Sequence, residues 1–154
     1  TGFKNAMKSL DHARLHMAGV AVGLCRRLLH EGTKYAVERH QFGQPIGRFQ
    51  MIQALLADSQ AEYLAAKALV EQSARDRDAG RKTTLEAACS KYFATEAAGR
   101  IADRMLQIHG GNGYIKEYPI ERLYRDVRLL RIYEGTSQIL QVITAREMLR
   151  EAGL

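Results

Sequence analysis

A chain of 154 residues that is 46% apolar and 26% charged, with thirteen glycines and two prolines, has the composition of one globular domain. Collagen-like, low-complexity and disulfide-miniprotein classes are excluded. Its 23 basic and 17 acidic residues give a net charge of +6, but the cations are interleaved with acids and form no basic-aromatic motif, so no nucleic acid partner is expected. No run without a charged residue exceeds the eleven residues of 15–25, against about 20 for a membrane span, so no transmembrane helix is expected. Cys25 and Cys89 lie in helix-like apolar surroundings without CxxC spacing and read as buried free thiols in a reducing compartment. His12 and His16 are the only histidines at ligand spacing and lack a carboxylate or cysteine partner, so no metal is expected. The first five residues carry no basic and apolar leader pattern, and the start reads as an interior cut through a longer polypeptide.

Apolar residues at Leu10, Ala13, Met17, Val20, Ala21, Leu24, Leu28 and Tyr35 mark one face of a long helix over residues 9–39. Its middle, 17–25, is apolar all round and rich in Ala and Gly, the pattern of a central helix packed on several sides. Residues 40–47, with two glycines and a proline, form a connection. A second helix follows from the stripe Ile52, Leu55, Leu56, Ser59, Tyr63, Ala66, Val70 and Ser73, and Gly80 is its stop signal. Thr83 to Glu86 reads as a capping box for a third helix, which ends at His109 before two glycines. Short turns make these three helices antiparallel neighbours. Residues 110–118 form a loop, 119–130 about three helical turns, and a final helix follows Gly135 and Thr136. No stretch has the sustained alternation of a strand. The expected fold is all-α: an antiparallel up-and-down four-helix bundle with an additional short helix.

Three loop-like clusters contain residues that a plain bundle does not require. They are Arg39 to Gly43 (RHQFG), Gln107 to Tyr114 (QIHGGNGY) and Arg131 to Ile139 (RIYEGTSQI); 68 positions separate Arg39 from Gln107 and 27 separate Gln107 from Glu134. Together with Asp11, His12, Ala13 and Arg14 upstream, these clusters resemble the carboxy-terminal helical domain of the acyl-CoA dehydrogenase family, and the resemblance spans residues 1–154 as one domain. Residues 3–7 resemble the segment that follows the family's middle β-domain. The resemblance implies a longer flavoenzyme with an amino-terminal helical domain and a middle domain; by itself, this part would bind FAD weakly at most.

By the same resemblance, Arg39 lies on the FAD pyrophosphate with Gln41 and Phe42 along the adenosine, across a subunit boundary. A guanidinium offers parallel donors to phosphate oxygens, although taken alone Arg39 reads as an ordinary arginine at a helix end. Gln107, Gly110 and Gly111 would approach the ADP part, and Thr136 and Gln138 would contact the cofactor, Thr136 being equally an N-cap. Glu134 matches the base that removes the α-proton of an acyl-CoA thioester while hydride leaves the β-carbon for flavin. Its own backbone N–H and a ribityl hydroxyl of FAD would polarise the thioester carbonyl. Tyr133 and Gly135 would border the thioester, and Gly135 has no side chain to block it. Some family branches place the base on the first helix, where this chain has Ala13, which accepts no proton. Asp11 and Arg14 match positions near acyl-CoA and are equally a solvated i,i+3 ion pair.

The implied partners are an acyl-CoA substrate, electron-transfer flavoprotein as electron acceptor, and further copies of the chain in a dimer or tetramer, in a bacterial cytoplasm or mitochondrial matrix. The alternatives are an acyl-CoA oxidase or related flavoenzyme of the same fold and, from another class, a non-catalytic helical oligomerisation module.

Overall fold

The computed structural model describes the backbone of residues 2–154 and the side chains of residue 2 and of 9–154. The side chains of 3–7, matched above to the segment after the β-domain, lie outside the described residues. Among the described residues there are five α-helices: α1 (Gly2–Glu38), α2 (Gln50–Asp78), α3 (Thr84–His109), α4 (Ile120–Leu129) and α5 (Ser137–Glu151). The helix expected from residue 9 therefore starts seven positions earlier and stops one before Arg39. Short 3-10 turns, Ile46–Arg48 and Gly110–Tyr114, precede α2 and follow α3. None of the helices among the described residues is long and apolar enough to cross a membrane.

The central helix is α3, not α1. It packs on α1, α2, α4 and α5 because its buried positions are mostly small: Ala87, Ala88, Ala94, Ala97, Ala98 and Ala102 let neighbours approach on every side. On α1, Ala18, Ala21, Cys25 and Leu28 are buried, but Val20 is 45% exposed and nothing lies within contact of a side chain built at Gly19 or Gly23. The all-round apolar stretch thus leaves an open face in this chain. Gly32 is different, since a β-carbon there would collide with the Met105 sulfur at the α1–α3 crossing.

Two local expectations change. Residues 40–47 include a two-residue antiparallel ribbon, β1 (His40–Gln41) with β2 (Gln44–Pro45). Phe42 (φ 53°) and Gly43 (φ 79°) form its tip, the positive-φ pair of a type I′ turn, which is too short to show as alternation. The capping box does not form either. Thr83 occupies the N-cap at φ −126° and ψ 26°, off the extended backbone usual for a capping residue, and makes no side-chain bond; the neighbouring Thr84 hydroxyl donates to Asp11 on α1, 2.8 Å away. Gly80 does end α2, at φ 76°. Cys25 is buried, but Cys89 only half so.

Candidate active site

The segment between α4 and α5 closes on itself: the Leu129 carbonyl accepts from the amides of Ile132 (2.9 Å) and Tyr133 (3.3 Å), and Ser137 N–H donates to the Arg131 carbonyl (3.3 Å). At its apex, Glu134 (φ 53°) and Gly135 (φ 95°) are both left-handed, a conformation that glycine adopts freely and glutamate does not. Glu134 is exposed and Tyr133 partly so. Thr136 caps α5, its hydroxyl accepting from Ile139 N–H at 3.3 Å, and Gln138 is exposed on the first turn.

Beneath this loop lies α3. The side chain of Lys91 is fully buried, and its Nζ donates to the carbonyls of Tyr133 (2.6 Å) and Gly135. One turn further, Glu96 accepts from Arg131 Nη1 (3.0 Å) and from the Ser137 hydroxyl (2.5 Å). On the other side is α1, where Arg14, 9% exposed, bonds Asp11 at 2.8 Å. Asp11 in turn accepts from Thr84 Oγ1. The Nε of Arg14 has no partner among the described residues and lies 4.0 Å from where a β-carbon on Gly135 would stand. Burial lowers the Lys91 pKa to about 8, with Arg14 pushing the same way and Glu134 opposing. The apex carboxylate therefore stands in the field of the Lys91 ammonium.

A second cluster forms at the far end of α1, around a cavity of about 300 Å³. Arg39 and Gln41 from the ribbon side meet Gly110 and Gly111 there, with Tyr35, His109 and Asn112 in the wall. The wall is ordered by chemistry: Tyr35 stacks on His109 at 4.2 Å, Asn112 donates to the Tyr35 hydroxyl at 2.8 Å, and His109 Nδ1–H donates to the Met105 carbonyl at 2.7 Å. Burial lowers the His109 pKa, so the ring is neutral near pH 7. Gly110 has φ 57°, and a β-carbon at Gly113 would press on the Leu106 carbonyl at 2.7 Å. Arg39 makes no ion pair among the described residues, and with bare glycine backbone opposite it the donor set fits a pyrophosphate. Gln107 is exposed beside the cavity rather than among its lining residues, and Phe42, 91% exposed, touches Phe49 edge-on at the ribbon tip.

The structure thus brings Arg14, with Asp11 bonded to it, to Gly135, and Arg39 and Gln41 to Gly110 and Gly111. The two groups stay apart, because 25 positions along α1 separate Arg14 from Arg39, about 38 Å of helix. Lys91, Glu96 and Tyr35 lie outside the three motif clusters, whereas His109 and Asn112 lie inside QIHGGNGY without an assigned role there. For Lys91 a signal existed: it is a lysine in register with the alanines of α3's buried face, at 88, 94 and 98. Asp11 also borders a cavity of about 520 Å³ whose cations Arg77, Arg81 and Lys82 are each held in an ion pair.

Residues 1–149 match the family model described as the acyl-CoA dehydrogenase C-terminal domain. The chain is 48% identical over 149 residues to a 3-(aryl)acrylate reductase of Clostridium sporogenes, covering 97% of this chain and 40% of that protein. It is 42% identical over 149 residues to the rat mitochondrial short-chain specific acyl-CoA dehydrogenase, covering 97% of this chain and 36% of that one. The structure of butyryl-CoA dehydrogenase from Megasphaera elsdenii superposes with a TM-score of 0.95 at 38% identity, over 97% of this chain and 39% of that chain. The chain therefore spans about two fifths of the length of these relatives. It belongs to the acyl-CoA dehydrogenase family, matching that family's carboxy-terminal helical domain.

Proposed function

We propose that residues 1–154 are one domain of an FAD-dependent acyl-CoA dehydrogenase and that Glu134 is its base. The observation that carries this reading is the Glu134 loop: an exposed carboxylate on a left-handed residue, next to a glycine, on a segment bonded to α3 at four points. Left-handed non-glycine residues cost free energy and persist where surrounding contacts over-determine them, which is common at reacting sites.

FAD, when bound, supplies the acceptor for the hydride that leaves the β-carbon. The Glu134 carboxylate takes the α-proton as that hydride departs, which leaves the α,β double bond. Its peptide N–H and the bare α-carbon of Gly135 let a thioester carbonyl approach as a hydrogen-bond acceptor, polarising the α-carbon. Arg14 and Asp11 line the approach beside Gly135, with Tyr133 at its rim. The Arg39 cluster, with Gln41, Phe42, Gln107, Gly110 and Gly111, holds the dinucleotide part of a cofactor. Since about 38 Å of helix separates it from Arg14, that cofactor is the one serving another copy's Glu134, whereas Thr136 and Gln138 face the cofactor at this copy's own loop. The open Gly19 and Gly23 face and the exposed Val142 and Leu149 of α5 supply apolar surface for a dimer or tetramer.

A second reading concerns direction only. The relatives include an acrylate reductase and, at 45% identity, a subunit of the caffeyl-CoA reductase–Etf complex of Acetobacterium woodii. In reverse, a protonated Glu134 returns its proton to the α-carbon while the β-carbon receives hydride. The second name also supports an electron-transfer flavoprotein as redox partner. The test is anaerobic addition of a saturated acyl-CoA to the flavin-loaded enzyme: bleaching in the wild type and its loss by several orders of magnitude in Glu134→Gln support the base assignment. Bleaching at the wild-type rate in the variant overturns it.

A further inference from the structure

We infer that Lys91 is a positioning residue for the Glu134 loop, holding the carbonyls on either side of the glutamate so that the loop's amides face away from α3. The catalytic consequence rests on the function proposed above; the structural part does not.

A fully buried ammonium is costly unless its hydrogen bonds are made. Lys91 spends two of them on one seven-residue stretch of another element, at Tyr133 and Gly135, and skips the residue between. Every peptide bond described is trans, and in a trans peptide the carbonyl and the following N–H point in opposite directions. Holding the Tyr133 carbonyl toward α3 therefore turns the Glu134 N–H outward, and holding the Gly135 carbonyl turns the Thr136 N–H outward. Among the described residues neither amide donates to a backbone carbonyl, so both are free to meet a ligand. The same two bonds bracket the left-handed Glu134, which has no glycine's freedom to adopt that conformation unaided. Glu96 anchors the two ends of the loop through Arg131 and Ser137, which leaves the apex to Lys91. The charged groups that face Lys91 are Glu134 on the loop and Arg14 on α1.

The test compares Lys91→Met, which keeps the stem and removes the donors, with Ile101→Val, a core change on the same helix away from the loop. Amide hydrogen exchange is read at Ile132, Tyr133 and Ser137, whose N–H groups are bonded within the loop. Lys91→Met is expected to speed exchange at these amides about tenfold or more beyond any change in α1 and α2, and Ile101→Val is not. In the flavin-loaded enzyme, Lys91→Met is expected to lower kcat about 100-fold with KM and flavin content little changed, and Lys91→Arg, which keeps donors, to recover part of it. If Lys91→Met does not fold, Lys91→Leu gives the same donor-free comparison on a shorter stem. Unchanged loop exchange, or equal loosening by Ile101→Val, overturns the inference. So does a Lys91→Met enzyme with wild-type kcat alongside an inactive Glu134→Gln. An active Glu134→Gln enzyme instead defeats the proposed function and leaves the exchange result to decide the structural role of Lys91.

Discussion

Replacing Glu134 by glycine should make the chain more stable than replacing it by alanine, the reverse of the usual order. Glu134 sits at φ 53°, where an L-residue with a β-carbon bears about 1–2 kcal/mol relative to right-handed backbone. Alanine keeps that cost and glycine removes it. Glycine also gives the unfolded chain more freedom, which costs about 0.4–1 kcal/mol. The difference leaves Glu134→Gly ahead of Glu134→Ala by about 0.5–1 kcal/mol, or roughly 1–4 °C in Tm for a domain of this size. The two variants lack the same carboxylate, so its interactions cancel in the comparison. Gly80→Ala calibrates the backbone cost, because Gly80 is at φ 76° with nothing within 4 Å of an added β-carbon; it should lose a similar amount. Gly111→Ala, equally open but without positive φ, should be near neutral. Urea denaturation of the four variants measures all of this. An alanine variant at least as stable as the glycine variant, with Gly80→Ala destabilised as expected, would refute a left-handed backbone held at the site.

Three further outcomes are expected. Lys91 titrates at about 8 when folded against 10.5 ordinarily; between those values the unfolded chain keeps the proton that the folded chain has released, so the Lys91 contribution to stability rises with pH across that window. The stability difference between wild type and Lys91→Met, followed by urea titration from pH 7 to 10, should show that slope, and a flat difference contradicts it. Cys25 is fully buried, its thiol pushed up to about 12 first by burial and then by Glu62, so alkylation of the native chain followed by mass spectrometry should label Cys89 first; early labelling of Cys25 contradicts the packing. Arg39→Ala should release flavin from the assembled enzyme, since a charge-assisted contact to pyrophosphate contributes about 1.5–3 kcal/mol, roughly 10- to 150-fold in affinity, and a full flavin complement after gel filtration removes Arg39 from the cofactor site.

The helices were legible because their stripes are long and their ends are punctuated: Gly80 stops α2, His109 precedes glycine, and Thr136 caps α5. Which helix lies in the middle was not. An apolar stretch with glycines on α1 and an alanine stripe on α3 look alike in a single sequence, and only packing separates them. The ribbon at 40–45 escaped because two residues per strand carry no period. The capping box does not form because Thr83 stands at φ −126° and ψ 26° rather than on extended backbone, and the Thr84 hydroxyl beside it meets Asp11, 73 positions away, a long-range contact that local pattern cannot anticipate. The candidate site divides in the same way. Glu134, Arg39 and the glycines stand in loops and carry recognisable motifs, whereas Lys91 and Glu96 act from within a helix on a loop some 40 positions later. A lysine amid buried alanines was the one visible trace of that support.

The central claim is that Glu134 removes the α-proton, and proton exchange isolates that step from hydride transfer. An acyl-CoA whose β-carbon carries no hydrogen, such as 3,3-dimethylbutyryl-CoA, has no hydride to lose but still has α-protons. Incubated in deuterated buffer with the flavin-loaded enzyme, it should take up deuterium at the α-carbon with the wild type, and at least about 100-fold more slowly with Glu134→Gln, the lower end of what a positioned general base contributes. Exchange at the wild-type rate in a Glu134→Gln enzyme that retains its flavin would contradict the assignment and move the base to another residue.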